Sequence, residues 1–583
     1  MAAPAHDTHI GGVCPIPAPA VGVALARADS LADHRQADWT IVATDLYVGG
    51  AVYSSAAPDA TALAVTDGIV VWVGSDDVGR ALHPDARIIP LQDRFVAPAF
   101  VDSHVHLTST GLALSGLTLT SATSRSDCLA LLATAHAAAA PGELIWGTGW
   151  DDSAWDATAH GEGRFPTTAE IDTVVGDRPV YLARVDEHSA VASSALRDRV
   201  PELAGATGFH PAEPLVAEAH HLVRGAARTL LSAGQRRRAQ VRALDHAASV
   251  GVVAVHENGG PDISGSADFL AIADLDHPVS VRRYWGEAVA DAEEATALMR
   301  SLRADALGGD LFVDGALGSH TAWLSQPYTD APDLSGIEYV DHDTVRGHIA
   351  ACTVAGVQAG FHVIGDAAAA SVATAFGEVA AEFGTPALAR CAHRLEHAEM
   401  ISAHDMDILA RCGVVASMQP QFDAAWGGPG DLYEQRLGAD RAASLNDFGA
   451  LAKVGVALSF SSDAPVTGID PWATIRAAVH HHQPRNAISA RAAFAATTRG
   501  GWRAGGINDG LTGTLVPGAP AHFAIWEAED LVVVGSHAGV QRWSTDPRAR
   551  VPALPDVSPE ATLPRCVQTF RDGIPVYSAE TTG

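Results

Sequence analysis

The chain has 583 residues, 47% hydrophobic and 18% charged, which excludes a disordered protein and leaves room for one large barrel with additions or for two or more cores. Its formal net charge of −30 excludes bulk electrostatic binding to nucleic acid or to an anionic membrane surface. The six cysteines (Cys14, Cys128, Cys352, Cys391, Cys412 and Cys566) show no Cys-X-X-Cys spacing and read as thiols of a reducing compartment rather than a disulfide framework.

No basic segment followed by an apolar core opens the chain, and no apolar run reaches the roughly 18–20 residues that span a bilayer, so the expected location is the cytoplasm. Residues 1–38, rich in Ala, Pro, His and Asp, read as a flexible leader. From 39 to 95, short β runs such as Ala62–Val65, Ile69–Gly74 and Arg87–Leu91 alternate with Gly/Asp turns. The same texture returns over 501–583: a turn-rich hairpin at Gly513–Gly518, then strands at His522–Trp526, Leu531–Val534, Cys566–Phe570 and Ile574–Tyr577. Chain ends commonly lie near one another, so the two segments are expected to form one small split β-sandwich.

Between them, over 96–500, eight apolar runs each end in polar or Gly residues. They are 95–104, Gly251–His256, Val279–Trp285, Leu311–Gly315, Val357–Gly365, Arg394–His397, Val414–Pro420 and Val456–Asp463. Most are joined by Ala-rich stretches with helical spacing, such as 367–382 and 401–411. The fold class is therefore α/β, a (β/α)8 TIM barrel. Residues 107–245 are too long for one crossover and read as an insertion after the first strand, with a strand at Pro179–Arg184 and a helix over Leu222–Ala248.

Barrels of this kind carry their active sites at the C-terminal strand ends. The first run ends in His104-Val105-His106, and positions i and i+2 of a strand point the same way. Alone, this is either a metal pair or two polar residues at a strand end. The fifth run adds His362, the sixth His397 and the eighth Asp463. Several neutral imidazoles can hold a divalent ion and leave a position for water, whose pKa falls toward roughly 7. An aspartate touching that water can take its proton and return it to a leaving group. The chemistry indicated is hydrolysis at an sp² carbon.

The stretches Val96–His106, Phe312–Ala322 with Pro327–Asp330, Phe361–Asp366, His393–His397, Ser461–Val466, Gly149–Asp151 and Arg184–His188 resemble the amidohydrolase superfamily, and within it the YtcJ-like branch that includes N-substituted formamide deformylases. The resemblance implies a small-molecule amide substrate, a divalent metal with Zn2+ foremost, and a homodimer. It implies His104, His106, His362 and His397 as metal ligands and Asp463 as ligand and general base. Binuclear members carry a carboxylated lysine on the fourth strand, where this chain has Asp310, and Lys453 is its only lysine. Asp310 is shorter by several bonds. One ion is therefore expected, with His397 free to contact substrate; otherwise a carboxylate such as Asp310, Asp314 or Glu257 bridges two. A heterocycle deaminase and a non-catalytic barrel with a structural metal stand as alternatives.

Pocket-wall expectations rest on less. Arg184 and His188 either reach down from the insertion or form a surface pair; Trp150 and Asp151 either line the mouth or pack the insertion's core. Trp426, in a Gly-rich loop past the seventh strand, is placed to face substrate. His320 stands where relatives commonly have arginine. The triplet His480-His481-His482 reads as helical, its side chains splayed apart, and not as a second site.

Overall fold

A computed structural model describes residues 43–150, 155, 165–184, 189–211, 214–261, 263–533 and 551–579. The leader expected over 1–38 lies outside the described residues. The fold is mixed α/β. Its centre is two four-stranded parallel sheets: β1 (Phe100–Val105), β2 (Val252–Gly259), β3 (Ser280–Trp285) and β4 (Ala306–Leu307) in the order β4-β3-β2-β1, and β5 (Gly360–Val363), β6 (Arg394–His397), β7 (Val415–Met418) and β8 (Ala457–Phe460) in the order β5-β6-β7-β8. Isolated parallel bridges, Val105 to Ala464 and Leu307 to Ala359, link the two sheets at both edges.

Two of the expected strands are placed differently. The run 95–104 is two strands that part at Ala99. Phe95–Pro98 pairs antiparallel with Phe523–Glu527, while the Phe100 N–H already donates to Gly251 O at 2.9 Å as part of β1. The fourth strand is Ala306–Leu307, and the expected run Leu311–Gly315 meets β5 only through the isolated parallel bridge between Phe312 and His362. Gly308 (φ +142°) and Gly309 (φ +77°) end β4, and Leu311 and Val313 are core residues.

The main core runs through Phe100, Val255, Phe361, Leu395, Met418 and Phe460. Phe100 meets Trp472, Phe494 and Trp526 edge-on at 5.4, 5.5 and 5.6 Å, which ties β1 to two helices and to the strand Phe523–Glu527. Helix ends follow local chemistry: Ser402 accepts the Asp405 N–H at the start of Ala403–Cys412, and Gly413, with φ +70°, closes it.

The chain ends share one five-stranded sheet, ordered Ala51–Val52, Phe95–Pro98, Phe523–Glu527, Arg565–Arg571, Ile574–Ser578. They also share a core with the four-stranded sheet built from Thr44–Val48 and its neighbours. Residues 499–504 are a helix and Gly513–Gly518 form turns without strands, so the C-terminal β segment begins at Phe523 rather than 501.

The insertion carries its own mixed sheet, ordered Leu215–Val216, Ser189–Ala192, Val180–Arg184, Ile145–Trp150, Leu117–Thr118. The long helix expected over Leu222–Ala248 is two, Ala217–Leu230 and Ala233–Ser249, because Ser232 forms a capping box with Gln235 and starts the second. Leu107, Ala243 and Leu244 belong to the main core, so the insertion's expected limits fall inside the flanking helices Leu107–Ser115 and Ala233–Ser249. These two meet backbone to backbone: a Cβ on Gly111 would lie 1.8 Å from Ala239 O.

Candidate metal centre

At the C-terminal ends of the parallel strands the structure brings together His104, His106, His362, His397, Asp310 and Asp463. Nε2 of His104 is 3.3 Å from Asp310 Oδ2 and 3.4 Å from Asp463 Oδ1. Nε2 of His106 is 3.2 Å from each of the same two oxygens. On the other side, Asp310 Oδ1 is 3.5 Å from His362 Nδ1 and 3.6 Å from His397 Nε2.

Each imidazole has its second nitrogen engaged by an outer oxygen. The Nδ1–H of His104 donates to Glu396 Oε2 at 3.0 Å, and that of His106 to Asn258 O at 2.9 Å. The Nδ1–H of His397 donates to Gln419 Oε1 at 2.9 Å, and the Nε2–H of His362 to Gly315 O at 3.2 Å. That fixes the tautomers and leaves one lone pair per ring for the centre, the arrangement metal-bound histidines require. His104 Nε2, His362 Nδ1, Asp310 Oδ1 and Asp463 Oδ1 are buried without a hydrogen-bond partner. Donors sharing one tetrahedral ion at about 2.0–2.2 Å sit about 3.3–3.6 Å apart, the spacing found here. The donor set fits a divalent cation.

Electrostatics agree. Burial pushes the His106 imidazole down, but hydrogen bonds and charge from Asp310 and Asp463 outweigh it and raise its pKa to about 10. His104 is raised well above its ordinary range in the same way, while Asp310, despite burial, is held well below its own by the His104 charge. Without an ion the cluster keeps protons; a cation would displace them, so metal binding should release protons.

Backbone strain aims two of these groups. His397 has φ +69° and Asp463 φ +55°. Regular alternation along β6 would turn His397 away from the side that Arg394 and Glu396 occupy. The left-handed backbone lets Glu396 and His397, adjacent in sequence, both face the centre. Non-glycine residues hold such conformations only where surrounding bonds enforce them, as the Asp463 N–H to His104 O bond of 2.9 Å does here.

Several side chains had no role in the sequence reading. Arg394 and Glu396 are fully buried and bidentate, with Nε to Oε1 at 2.8 Å and Nη2 to Oε2 at 2.6 Å. The guanidinium also donates to Ser103 O at 2.7 Å and to His256 Nδ1 at 2.8 Å, and lies 4.4 Å from the Tyr284 ring centre. Two charged residues at i and i+2 on an apolar strand were the available signal. Gln419 carried none.

The other expected residues fall as follows. Asp314 accepts N–H bonds from Ile364, Gly365 and Trp323 at 3.0, 2.7 and 2.9 Å and holds the loop beside β5. Glu257 accepts the Leu107 N–H at 2.7 Å, and burial pushes its pKa up to about 7. Both carboxylates are thus engaged by backbone N–H groups. Trp150 is 1% exposed, donates to Leu182 O at 3.0 Å and packs the insertion's core, not a mouth. Arg184 lies 5.9 Å from the Trp150 ring centre. Asp151 and His188 lie outside the described residues. His320 pairs with Asp330 at 3.1 Å, and Arg436 binds the same carboxylate. Trp426 lies tilted against Phe422 (4.8 Å), whose ring lies parallel to His397 at 6.1 Å. The histidine triplet follows the helix Pro471–Val479 rather than lying in it, and His481 and His482 both face Asp423.

A parallel α/β core with imidazoles and carboxylates converging at its C-terminal strand ends defines the class of metal-dependent hydrolases. The amidohydrolase family model matches residues 87–577, and the chain belongs to that family. Protein LONG AFTER FAR-RED 3 of Arabidopsis thaliana is 29% identical over 527 residues, covering 83% of this chain and 87% of that protein. The putative amidohydrolase YtcJ of Bacillus subtilis is 26% identical over 439 residues, covering 72% and 80%. A crystal structure of a metal-dependent hydrolase from Pyrococcus furiosus superposes with a TM-score of 0.68 at 26% identity, covering 83% of this chain and 98% of that one.

Proposed function

We propose that the chain hydrolyses a C–N bond of a small amide, of the N-substituted formamide type, on a closed (β/α)8 barrel flanked by a split β-sandwich. The two edge bridges between the parallel sheets support closure. The observation that carries the functional reading is the convergence of four imidazoles, each fixed by an outer acceptor, on Asp310 and Asp463. His104, His106 and Asp463 would hold a divalent ion, with Zn2+ the first choice for this mixed nitrogen and oxygen set. When bound, such an ion lowers the pKa of water toward neutrality and polarises a carbonyl. Asp463 takes a proton from the attacking water and returns it to the leaving nitrogen, so that hydroxyl ends on the acyl carbon and hydrogen on the amine. Glu396 holds the His104 ring in register. Phe422 and Trp426 supply an apolar wall beside His397 for the substituent on nitrogen.

The test is a panel of N-substituted formamides, simple amides and aminated heterocycles, assayed with native, chelator-treated and Zn2+-restored protein. Formate or another acid together with a free amine is expected from the amides. Ammonia from the heterocycles alone would replace this reading with a deaminase. Asp463→Asn should stay folded and keep metal while turnover falls about 10²–10⁴-fold; undiminished turnover would remove Asp463 from the mechanism.

A further inference from the structure

The geometry points to a second ligand groove, apart from the metal centre, that takes a small carboxylate with an apolar body. It lies at the far end of the helix Leu107–Ser115, whose near end follows His106; the nine residues of that helix put about 13 Å between its two ends. The proposal goes beyond the hydrolase reading and does not depend on it.

Three observations define the groove. First, it is a cavity of about 290 Å³ where the helices Leu107–Ser115, Arg125–Ala138 and Ala233–Ser249 meet Leu117–Thr118, the edge strand of the insertion's sheet. That is close to the lower end of the range for small-molecule sites, roughly 300–1,000 Å³. Leu112, Leu117, Leu144 and Trp146 give it an apolar floor. Ala135 and Ala139, one turn apart at the end of the helix Arg125–Ala138, leave it open because neither methyl fills it. Second, the indole N–H of Trp146 has no acceptor among the described residues. The insertion's two other tryptophans donate, Trp150 to Leu182 O and Trp155 to Ala122 O, each at 3.0 Å. Trp146 is half-buried, its ring centre 4.5 Å from that of Tyr181, so it offers a ligand both apolar surface and a donor.

Third, the charge is unbalanced in one direction. Arg238 and Arg242 line the groove from the helix Ala233–Ser249. Arg238 pairs with Glu143 at 2.6 Å, whereas Arg242 makes no ion pair or hydrogen bond among the described residues. Two cations less one anion leave the groove one positive charge, in a chain whose net charge is −30. A carboxylate answers Arg242 and the Trp146 N–H while its apolar body covers the floor. An amine meets like charge there, and a neutral molecule leaves Arg242 unanswered. Arg238 and Arg242 flank Ala239, whose carbonyl oxygen is the atom closest to Gly111, so a bound acid also braces the point where the two helices cross.

The test is isothermal titration of phenylacetate, phenethyl alcohol and phenethylamine into full-length protein, with zinc bound and after chelator treatment. For the acid, one site per chain with a Kd of about 1 mM or tighter is expected in both forms, and the alcohol and the amine should bind at least about fivefold more weakly. Arg242→Ala should weaken the acid about fivefold and leave the alcohol unchanged. Ala135→Leu, which fills the cavity from the helix side, should weaken both at least about tenfold. No saturable binding of the acid at about 10 mM overturns the groove. So does binding of the acid that requires zinc, which places it at the metal centre, or an affinity that Arg242→Ala leaves undiminished. Alcohol binding as tight as the acid overturns the anionic class. Arg242 is exposed, so its replacement decides the matter even where Ala135→Leu fails to fold. None of these outcomes bears on the hydrolase reading, which is judged by turnover.

Discussion

Replacing Glu396 by glutamine probes the link between the interior charge pair and the metal centre. The carboxylate accepts two bonds from Arg394, at 2.8 and 2.6 Å, and one from His104 at 3.0 Å, with both side chains fully buried. Glutamine has the same shape, but one end of its amide is a donor. That end must face either Arg394 Nε or the pair formed by Arg394 Nη2 and the His104 N–H. The buried guanidinium loses its counter-charge, which costs about 3–5 kcal/mol of stability. His104 loses the acceptor that holds its ring, which should weaken metal binding about 10–100-fold, or about 1.4–2.7 kcal/mol. Urea unfolding of metal-free protein reads the first effect, and competition against a chromophoric chelator reads the second. The Arg394→Met, Glu396→Gln double variant should be at least about 1 kcal/mol more stable than additivity predicts, since removing both charges leaves none unpaired. Stability within about 0.5 kcal/mol of wild type together with unchanged metal affinity in Glu396→Gln would refute the reasoning.

Other perturbations have equally definite outcomes. His348 is fully buried; its Nδ1 accepts the Val289 N–H at 3.1 Å, its Nε2 faces Leu307 O at 3.3 Å, and burial pushes its pKa down to about 4. Because the folded value lies below the unfolded 6.5, its contribution is whole above pH 6.5 and is lost as pH falls toward 4. His348→Gln, which can keep both bonds, should reduce the slope of stability against pH by about 1 kcal/mol per pH unit between pH 6 and 4.5; an unchanged slope in denaturation series would refute that. Gly111→Ala should destabilise by about 3 kcal/mol or more, seen in thermal melts, because the added methyl meets a carbonyl oxygen rather than a movable side chain. Chelator treatment should lower the melting temperature of wild-type protein but hardly that of a variant with His104 and His106 both replaced by alanine, and zinc should restore only the former.

The sequence made visible those parts of the centre that follow a local period. His104 and His106 were legible because the strand period of two places both on one side after an apolar lead. Strands β5 to β8 were legible because each apolar run stops at a polar residue followed by helix signals. Strand β4 was not, since two glycines interrupt it and the more hydrophobic Leu311–Gly315 stretch draws attention away. The reach of Asp310 was hidden for the same reason: side-chain length is read from sequence, backbone depth is not. The orientation of His397 depends on a left-handed φ that no residue type near it announces. The partners of the histidines join distant parts of the chain: Glu396 is 292 residues from His104, and Asn258 is 152 from His106. Trp150 was left with two readings because an aromatic beside Gly and Asp looks the same whether it faces a ligand or a core.

The backbone contact between Gly111 and Ala239 bears on how this chain can change over evolutionary time. The helices Leu107–Ser115 and Ala233–Ser249 leave and re-enter the central strands at one crossing point, and the described residues between them build two cores of their own, with Leu112 and Ala239 closing one of them. The segment therefore behaves as a cassette in a clamped socket. Its length and composition can drift, or be exchanged, without changing the spacing of His106 from the rest of the centre. Variation can then accumulate in one interchangeable piece while the spacing of the centre stays fixed.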